Sequence, residues 1–189
     1  MSPSSPSRPA GVCVWLTGLP SAGKTTIAHR LAELLRERGI AVELLDGDEI
    51  RRALSADLGF GRAARETQAR RVTYVASVLA RHGVVPIVAL ISPYRSSRAE
   101  ARSAIRNFVE VHVATPLDVC EERDRKGLYA RARRGEIREF TGVDDPYEPP
   151  ERAEVTLTTV GESPEESARR LLRELDALQV LPGSRTEEL

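Results

Sequence analysis

Short apolar runs alternate along this chain with longer stretches of helical periodicity. Residues 12–16, 40–45, 84–91, 108–113 and 155–159 are rich in Val, Ile and Leu, and each run has the length of a buried strand. Between these runs, apolar side chains recur three to four residues apart, which indicates amphipathic helices. Strands that alternate with helices predict an α/β fold, with a parallel five-stranded sheet flanked by helices on both faces.

The helix ends are predicted from glycine, proline and capping residues. Gly39 and Gly83 are suitable residues to follow a helix, and Thr115 is predicted to be an N-cap with Pro116 as the first helical residue. Pro86 is expected near the start of its strand, because proline cannot donate to a sheet ladder. The predicted helices cover residues 24–38, 49–54, 63–81, 98–106 and 164–180.

A glycine-containing loop joins the first predicted strand to the first helix. Residues 18–25 read Gly-Leu-Pro-Ser-Ala-Gly-Lys-Thr and fit the phosphate-binding P-loop pattern G-x-x-x-x-G-K-[ST], which predicts a P-loop NTPase fold. Gly18 and Gly23 let backbone N–H groups turn toward an anion at the helix N-terminus. Lys24 is predicted to reach the β- and γ-phosphates of ATP, and the Thr25 hydroxyl to bind Mg²⁺. The predicted ATP-binding residues are Gly18, Leu19, Pro20, Ser21, Ala22, Gly23, Lys24, Thr25 and Thr26.

Polar residues follow the second and third predicted strands, as Asp46-Gly-Asp48 and as Ser92-Pro-Tyr94. Open α/β sheets bind ligands at the carboxyl ends of their strands. Asp46 is predicted either to hold Mg²⁺ through water or to accept a proton from a hydroxyl group. Asp48 is predicted either to cap the next helix or to contact substrate; the alternative is that both aspartates only cap that helix.

Arginines are concentrated after the second strand, and Phe60 lies among them. Guanidinium groups donate in pairs to phosphate or sulfate, and an aromatic ring can stack on a base. The alternative is a solvated helix face with Phe60 in the core. The arginines are Arg51, Arg52, Arg62, Arg65, Arg70 and Arg71.

Residues 123–150 form a long polar stretch in which apolar residues are sparse. Such a stretch inside a compact domain is typical of a mobile lid, whose arginines would close over phosphates. The alternative is a surface insertion without function.

Charge and cysteine content limit the classes of partner. The 28 basic and 28 acidic residues give a net charge of zero, so binding to nucleic acid or to an anionic membrane is not expected. Two isolated cysteines and the lack of a membrane-length apolar run favour a cytoplasmic protein. We expect one domain at residues 11–181, between a disordered leader at 1–10 and a tail at 182–189.

Taken together, these motifs resemble those of the adenylylsulfate (APS) kinases from residue 14 to residue 180. The most selective similarity lies in residues 126–150, which include Lys-Gly-Leu-Tyr and Phe-Thr-Gly-Val-Asp-Asp-Pro-Tyr-Glu-Pro-Pro. The resemblance implies transfer of the γ-phosphoryl group of Mg·ATP to the ribose 3′-hydroxyl of adenylylsulfate. The product is PAPS, as required for sulfate assimilation. The resemblance also implies a homodimer.

The resemblance also implies roles for individual residues. Phe60 and Phe140 would sandwich the adenine, arginines would hold the phosphosulfate, and Lys24, Asp46 and Ser92 would be catalytic. In similar kinases the position of Ser92 is described as a phosphoserine intermediate. Direct in-line transfer is our hypothesis, with Ser92 orienting substrate, because phosphoryl transfer depends mainly on positioning and charge neutralisation. The implied substrate-binding residues are Asp48, Arg51, Phe60, Arg65, Gln68, Ser92, Tyr94, Lys126, Leu128 and Phe140.

Several residues depart from the family pattern. Where the family usually has Asp, Glu and Asn, this chain has Ala64, Thr67 and Gln68, and Pro20-Ser21 replaces the usual Ser-Gly, a change expected to matter little. The family Asn reaches the substrate, so Gln68 either keeps that hydrogen bond or alters the pocket. Two alternatives stay open: a kinase of the same fold with another nucleotide or small phosphorylated acceptor, and a regulatory nucleotide-binding module without catalysis.

Overall fold

The computed structural model describes residues 10–183. Residues 1–9 of the predicted leader and 184–189 of the predicted tail lie outside the described residues. Within residues 10–183, five strands form one parallel sheet in the order β2-β3-β1-β4-β5, which confirms the predicted sheet. Pro86 is the second residue of β3, near its start as predicted. The strands are β1 (Cys13–Thr17), β2 (Val42–Asp46), β3 (Val85–Ala89), β4 (Phe108–Val113) and β5 (Val155–Leu157).

The predicted helices are present, with ends shifted by a few residues, and the 123–150 segment contains one helix that was not predicted. The fourth helix starts at Arg95, three residues earlier than predicted, because Glu148 accepts a 2.8 Å hydrogen bond from the Arg95 backbone N–H. The helices are α1 (Lys24–Glu37), α2 (Gly47–Leu54), α3 (Arg62–Arg81), α4 (Arg95–Ala104), α5 (Leu117–Glu122), α6 (Leu128–Arg133) and α7 (Pro164–Ala177).

The predicted start of the helix after β4 is wrong. Pro116 is itself the N-cap of α5, in an extended conformation, and Thr115 makes no capping bond. The Thr115 hydroxyl donates instead to the Ala22 carbonyl at 2.8 Å and lies 2.7 Å from the Thr159 hydroxyl. These buried partners, distant in sequence, compete successfully with the local capping bond.

Side chains of β1 point alternately to the two faces of the sheet. Val14 and Leu16 pack in the cluster that contains the apolar residues of α1 and α7. Cys13 and Trp15 pack in the opposite cluster, with residues of α3 and α4. Helices therefore cover both faces, and the carboxyl ends of the parallel strands meet along one edge, where the P-loop follows β1 directly.

Candidate active site

The P-loop backbone adopts conformations that favour glycine. A Cβ atom on Gly18 would lie 2.5 Å from the Val113 carbonyl oxygen, so no larger residue fits there. Gly23, the N-cap of α1, has a φ of 102°. Ser21 also has a positive φ, 59°, at a position where similar kinases usually have glycine. A left-handed conformation costs a residue with a side chain roughly 1–2 kcal/mol.

Lys24 lies against the loop that it follows. Its ammonium donates to the carbonyl oxygens of Gly18 at 3.0 Å and Leu19 at 2.7 Å. Only 8% of the residue is exposed, and burial lowers the pKa of Lys24 to about 8. The Lys24 ammonium is thus held by two carbonyl oxygens, and phosphate oxygens could replace them as acceptors of its hydrogen bonds.

Thr25 and Asp46, the two predicted metal-binding residues, are in direct contact. The Thr25 hydroxyl donates to Asp46 Oδ2 at 2.8 Å. Asp46 Oδ1 accepts hydrogen bonds from the backbone N–H groups of Asp48 at 2.9 Å and Glu49 at 3.3 Å. Asp46, not Asp48, therefore caps α2, and its other oxygen faces the P-loop. A hydroxyl and a carboxylate fit Mg²⁺, which usually takes few protein ligands together with substrate phosphates.

One cavity of about 800 Å³ opens at the carboxyl edge of the sheet. It brings together most of the residues predicted for ATP, metal and acceptor. Gly18, Leu19 and Ala22 do not line it. The predicted residues that line the cavity are Pro20, Ser21, Gly23, Lys24, Thr25, Thr26, Asp46, Asp48, Arg51, Phe60, Arg65, Gln68, Ser92, Tyr94, Lys126, Leu128 and Phe140.

The arginine cluster divides into two groups. Arg51 and Arg65 line the cavity. Phe60 is 59% exposed, so the alternative that placed it in the core is wrong. The Arg51 guanidinium lies over the Phe60 ring, 4.5 Å from its centroid. The four arginines that do not line the cavity are Arg52, Arg62, Arg70 and Arg71.

Arg65 connects α3 to the 123–150 segment. Its guanidinium donates to the backbone carbonyls of Phe60 at 2.7 Å and Glu139 at 3.0 Å, and it lies 3.9 Å from the Asp145 carboxylate. Burial lowers the pKa of Arg65. Arginine stays protonated nonetheless, so Arg65 brings a fixed positive charge to the cavity.

Ser92 is held from several sides. Its hydroxyl oxygen accepts a 3.1 Å hydrogen bond from Trp15 Nε1, and its φ is 43°. Its carbonyl oxygen accepts a 2.6 Å hydrogen bond from Arg98, and the Thr17 hydroxyl donates to the preceding carbonyl oxygen, that of Ile91, at 2.7 Å. Strained backbone of this kind persists where surrounding contacts hold it, and it is frequent at active sites. Neither Trp15 nor Arg98 was predicted to belong to the site.

The predicted substrate residues on and near the 123–150 segment make contacts of their own. Lys126 forms an ion pair with Asp48 of α2, and both side chains are largely exposed. Phe140 is buried against Tyr129, with ring centroids 5.0 Å apart. Leu128 is the first residue of α6.

Tyr94, which was predicted to bind substrate, lines the cavity although only 1% of the residue is exposed. Its hydroxyl donates to the Asp145 carboxylate at 3.0 Å, and burial raises the pKa of Tyr94 to about 12. The phenol is therefore protonated, and its hydrogen bond to Asp145 connects the residue before α4 to the 123–150 segment.

No helix within residues 10–183 has the length and apolar character needed to cross a bilayer.

Known proteins similar to this chain include adenylyl-sulfate kinases. A model of the adenylylsulphate kinase family matches residues 10–158. The adenylyl-sulfate kinase of Rippkaea orientalis is 54% identical over 171 residues, which are 90% of this chain and 94% of that protein.

Solved structures of APS kinases are also similar to this chain. The structure of the Mycobacterium tuberculosis APS kinase CysC, in complex with AMPPNP and APS, superposes with a TM-score of 0.85 at 44% identity. The superposition covers 89% of this chain and 99% of the M. tuberculosis chain. A hexameric APS kinase from Thiobacillus denitrificans has a TM-score of 0.70 at 34% identity, over 93% of this chain and 31% of that chain. The chain therefore belongs to the adenylylsulphate kinase family and has the P-loop kinase fold.

Proposed function

We propose that the protein transfers the γ-phosphoryl group of ATP to the ribose 3′-hydroxyl of adenylylsulfate, giving PAPS and ADP in sulfate assimilation. The observation that carries this proposal is the composition of a single cavity. A P-loop lysine, Lys24, lines it together with an exposed aromatic ring, Phe60, and several arginines, among them Arg51 and Arg65. These groups suit two anionic nucleotides facing each other. The M. tuberculosis relative binds such a pair, AMPPNP and APS.

The P-loop side of the cavity would hold the donor. Backbone N–H groups at the start of α1 would cradle the phosphates, and Lys24 would move from the loop carbonyls to the β- and γ-phosphates. Thr25 and Asp46 would hold Mg²⁺, which when bound neutralises charge on the phosphates. Asp46 has a second possible role, because its carboxylate is also a suitable acceptor for the proton of the 3′-hydroxyl.

The opposite side would hold adenylylsulfate. The exposed ring of Phe60 would stack on the adenine, with Phe140 on its other face, and Arg51 and Arg65 would bind the phosphosulfate. The 123–150 segment would act as a lid. Its ion pair between Lys126 and Asp48 joins two residues that line the cavity, and it would be exchanged for contacts with substrate.

Direct in-line transfer is the mechanism that the surroundings of Ser92 favour. A serine nucleophile needs a neighbouring base to take its proton. Among residues 10–183, the hydrogen-bond partner of Ser92 Oγ is Trp15 Nε1, which is a donor and not a base. Ser92 would therefore orient the acceptor. Substantial activity in Ser92→Ala would exclude an obligatory phosphoserine, whereas complete loss of activity and trapping of labelled phosphate on Ser92 would contradict direct transfer.

A homodimer in the cytoplasm completes the proposal. The T. denitrificans relative is hexameric, which is consistent with self-association among these kinases. Both cysteines are buried and free, as suits a reducing compartment. Light scattering on the purified protein is expected to give twice the mass of the chain, and a single-chain mass would contradict the dimer.

The second candidate is a kinase of the same fold with a different acceptor. Of the three departures from the family pattern, Ala64, Thr67 and Gln68, the one that lines the cavity is Gln68, and it favours this candidate. An acceptor panel separates the two. Adenylylsulfate, AMP and small phosphorylated metabolites are each supplied with Mg·ATP while ADP release is followed. We expect turnover with adenylylsulfate at micromolar concentration and none with the others. Turnover only with another acceptor would support the second candidate, and any turnover excludes a regulatory module without catalysis.

A further inference from the structure

Gln68 lies where α3 faces α2, at the base of the acceptor side of the cavity. Its side chain is nearly buried, with 6% of the residue exposed. Its Oε1 accepts a 2.6 Å hydrogen bond from Arg51 Nη2, and its Nε2 lies 3.5 Å from the Gly47 carbonyl oxygen. The amide oxygen is therefore already engaged by a charged donor from the neighbouring helix.

Arg51 has further contacts that fix its guanidinium. Nη1 donates to the carbonyl oxygens of Leu58 at 3.3 Å and Gly59 at 2.9 Å, and the guanidinium plane covers the Phe60 ring. Arginine has five N–H donors, so these contacts leave at least two free for an anion. Arg51 thus joins α2, the loop before α3 and the aromatic ring of Phe60. Gln68 holds the guanidinium of Arg51 at Nη2.

We propose that Gln68 is a positioning residue, which sets the affinity for the acceptor nucleotide by holding Arg51 between Phe60 and the cavity. The inference rests on adenylylsulfate being the acceptor. The Asn that similar kinases have at this position is shorter by one methylene, about 1.5 Å. An Asn placed on the same backbone would not reach Arg51 Nη2 at hydrogen-bonding distance. The Gln in this chain does reach Arg51, and in this proposal it acts on the substrate through Arg51.

A neutral amide has an electrostatic advantage over a carboxylate as the partner of Arg51. Burial and the nearby Arg65 lower the pKa of Arg51, so the surroundings already disfavour its charge. An amide oxygen holds the guanidinium in place and leaves its positive charge available to an anionic substrate. A carboxylate would hold it equally well but would cancel that charge.

A double-mutant cycle tests the coupling. We compare Gln68→Ala, Arg51→Ala and the double variant by steady-state kinetics, with varied adenylylsulfate at saturating Mg·ATP. Gln68→Ala is expected to raise the acceptor KM about tenfold, as for the loss of one hydrogen bond to a charged group, while kcat and the ATP KM stay within about twofold. In the Arg51→Ala background, Gln68→Ala is expected to have no further effect.

Two further variants separate positioning from general stability. Thr67→Ala is the matched control on the same helical turn, because among residues 10–183 its hydroxyl bonds to Ala63 and Arg70, which do not line the cavity. We expect its acceptor KM to equal that of the wild type. Gln68→Glu keeps the reach to Arg51 and is expected to raise the acceptor KM while the melting temperature is maintained. An unchanged KM in Gln68→Glu would refute the electrostatic argument.

A measurement without substrate keeps the inference independent of the acceptor. In ¹⁵N-labelled protein, Gln68→Ala is expected to speed rotation of the Arg51 guanidinium, whereas unchanged side-chain signals would overturn the inference. If the wild type does not use adenylylsulfate but Arg51 is freed in Gln68→Ala, the proposed function fails and the positioning role stands. If the wild type uses adenylylsulfate and the two substitutions have multiplicative effects on KM, Gln68 acts independently of Arg51 and the positioning role fails.

Discussion

Replacing Arg98 by alanine tests whether a buried ion pair holds the turn that carries Ser92. Arg98 Nε donates to Glu110 at 2.7 Å, and its other nitrogens donate to the carbonyl oxygens of Ser92 and Glu148, each at 2.6 Å. Its side chain is 3% exposed and that of Glu110 is 10% exposed. One side chain thus connects α4, β4, the turn that follows β3 and the 123–150 segment.

The cost of Arg98→Ala follows from this burial. Removing one partner of a buried pair costs about 3–5 kcal/mol of unfolding free energy. In Arg98→Ala, the Glu110 carboxylate keeps one partly exposed cation, Arg102 Nη2 at 3.3 Å, which compensates its charge only in part. For a chain of this length, we expect the melting temperature to fall by roughly 6–20 °C. Adding Glu110→Gln to Arg98→Ala removes the stranded charge and is expected to recover part of the loss.

Arg95 on the same helix provides the control. Its ion pair with Glu151 has a similar length, 2.7 Å, but the two side chains are 52% and 73% exposed. Exposed pairs contribute about 1 kcal/mol or less, so Arg95→Ala should shift the midpoint of unfolding far less than Arg98→Ala. The assay is chemical and thermal unfolding of the three variants, with acceptor kinetics below the transition. Equal losses for Arg95→Ala and Arg98→Ala would refute the reasoning.

Three other predictions concern the cavity itself. Because the charged form of Lys24 attracts phosphate and its pKa is lowered to about 8, kcat/KM for Mg·ATP should fall as the pH rises through that value. The fall approaches tenfold per pH unit; kcat should fall less, and a flat kcat/KM profile would contradict the prediction. Phe60→Ala should raise the acceptor KM about 5- to 150-fold, as for the loss of one base stack, without changing the melting temperature or the ATP KM. Asp46→Ala removes both a helix cap and a Mg²⁺ ligand. It should lower the unfolding free energy by about 0.5–2 kcal/mol and raise the Mg²⁺ concentration needed for half-maximal activity. An unchanged Mg²⁺ dependence would mean that Asp46 acts only as the helix cap.

The fold and the donor side of the cavity are predictable from sequence because their signals are local. The apolar run of β1, the adjacent glycine loop and the helical periodicity after Lys24 all lie within one short segment. Asp46 is predictable as well, since it ends an apolar strand and parallel strands end at one edge. The same local rules fail at Thr115, where buried partners distant in sequence replace the cap.

The residues that hold the acceptor side of the cavity in place cannot be predicted from local sequence signals. Trp15 is indistinguishable in sequence from an ordinary core residue of a strand, yet its indole N–H bonds to Ser92, 77 positions away. Arg98 looks like one more polar residue of a short helix, and its partner Glu110 lies in a buried strand. Pairing of this kind depends on how the strands are ordered in the sheet. It becomes visible only when β1, β3 and β4 are placed side by side.

The most direct test of the proposed function is a reaction of the purified protein with Mg·ATP and adenylylsulfate, in which ADP and PAPS are measured together. We predict one PAPS for each ADP, with the new phosphate on the 3′ position and no product from 3′-deoxy adenylylsulfate. ADP release without PAPS, or product from the 3′-deoxy acceptor, would contradict the account.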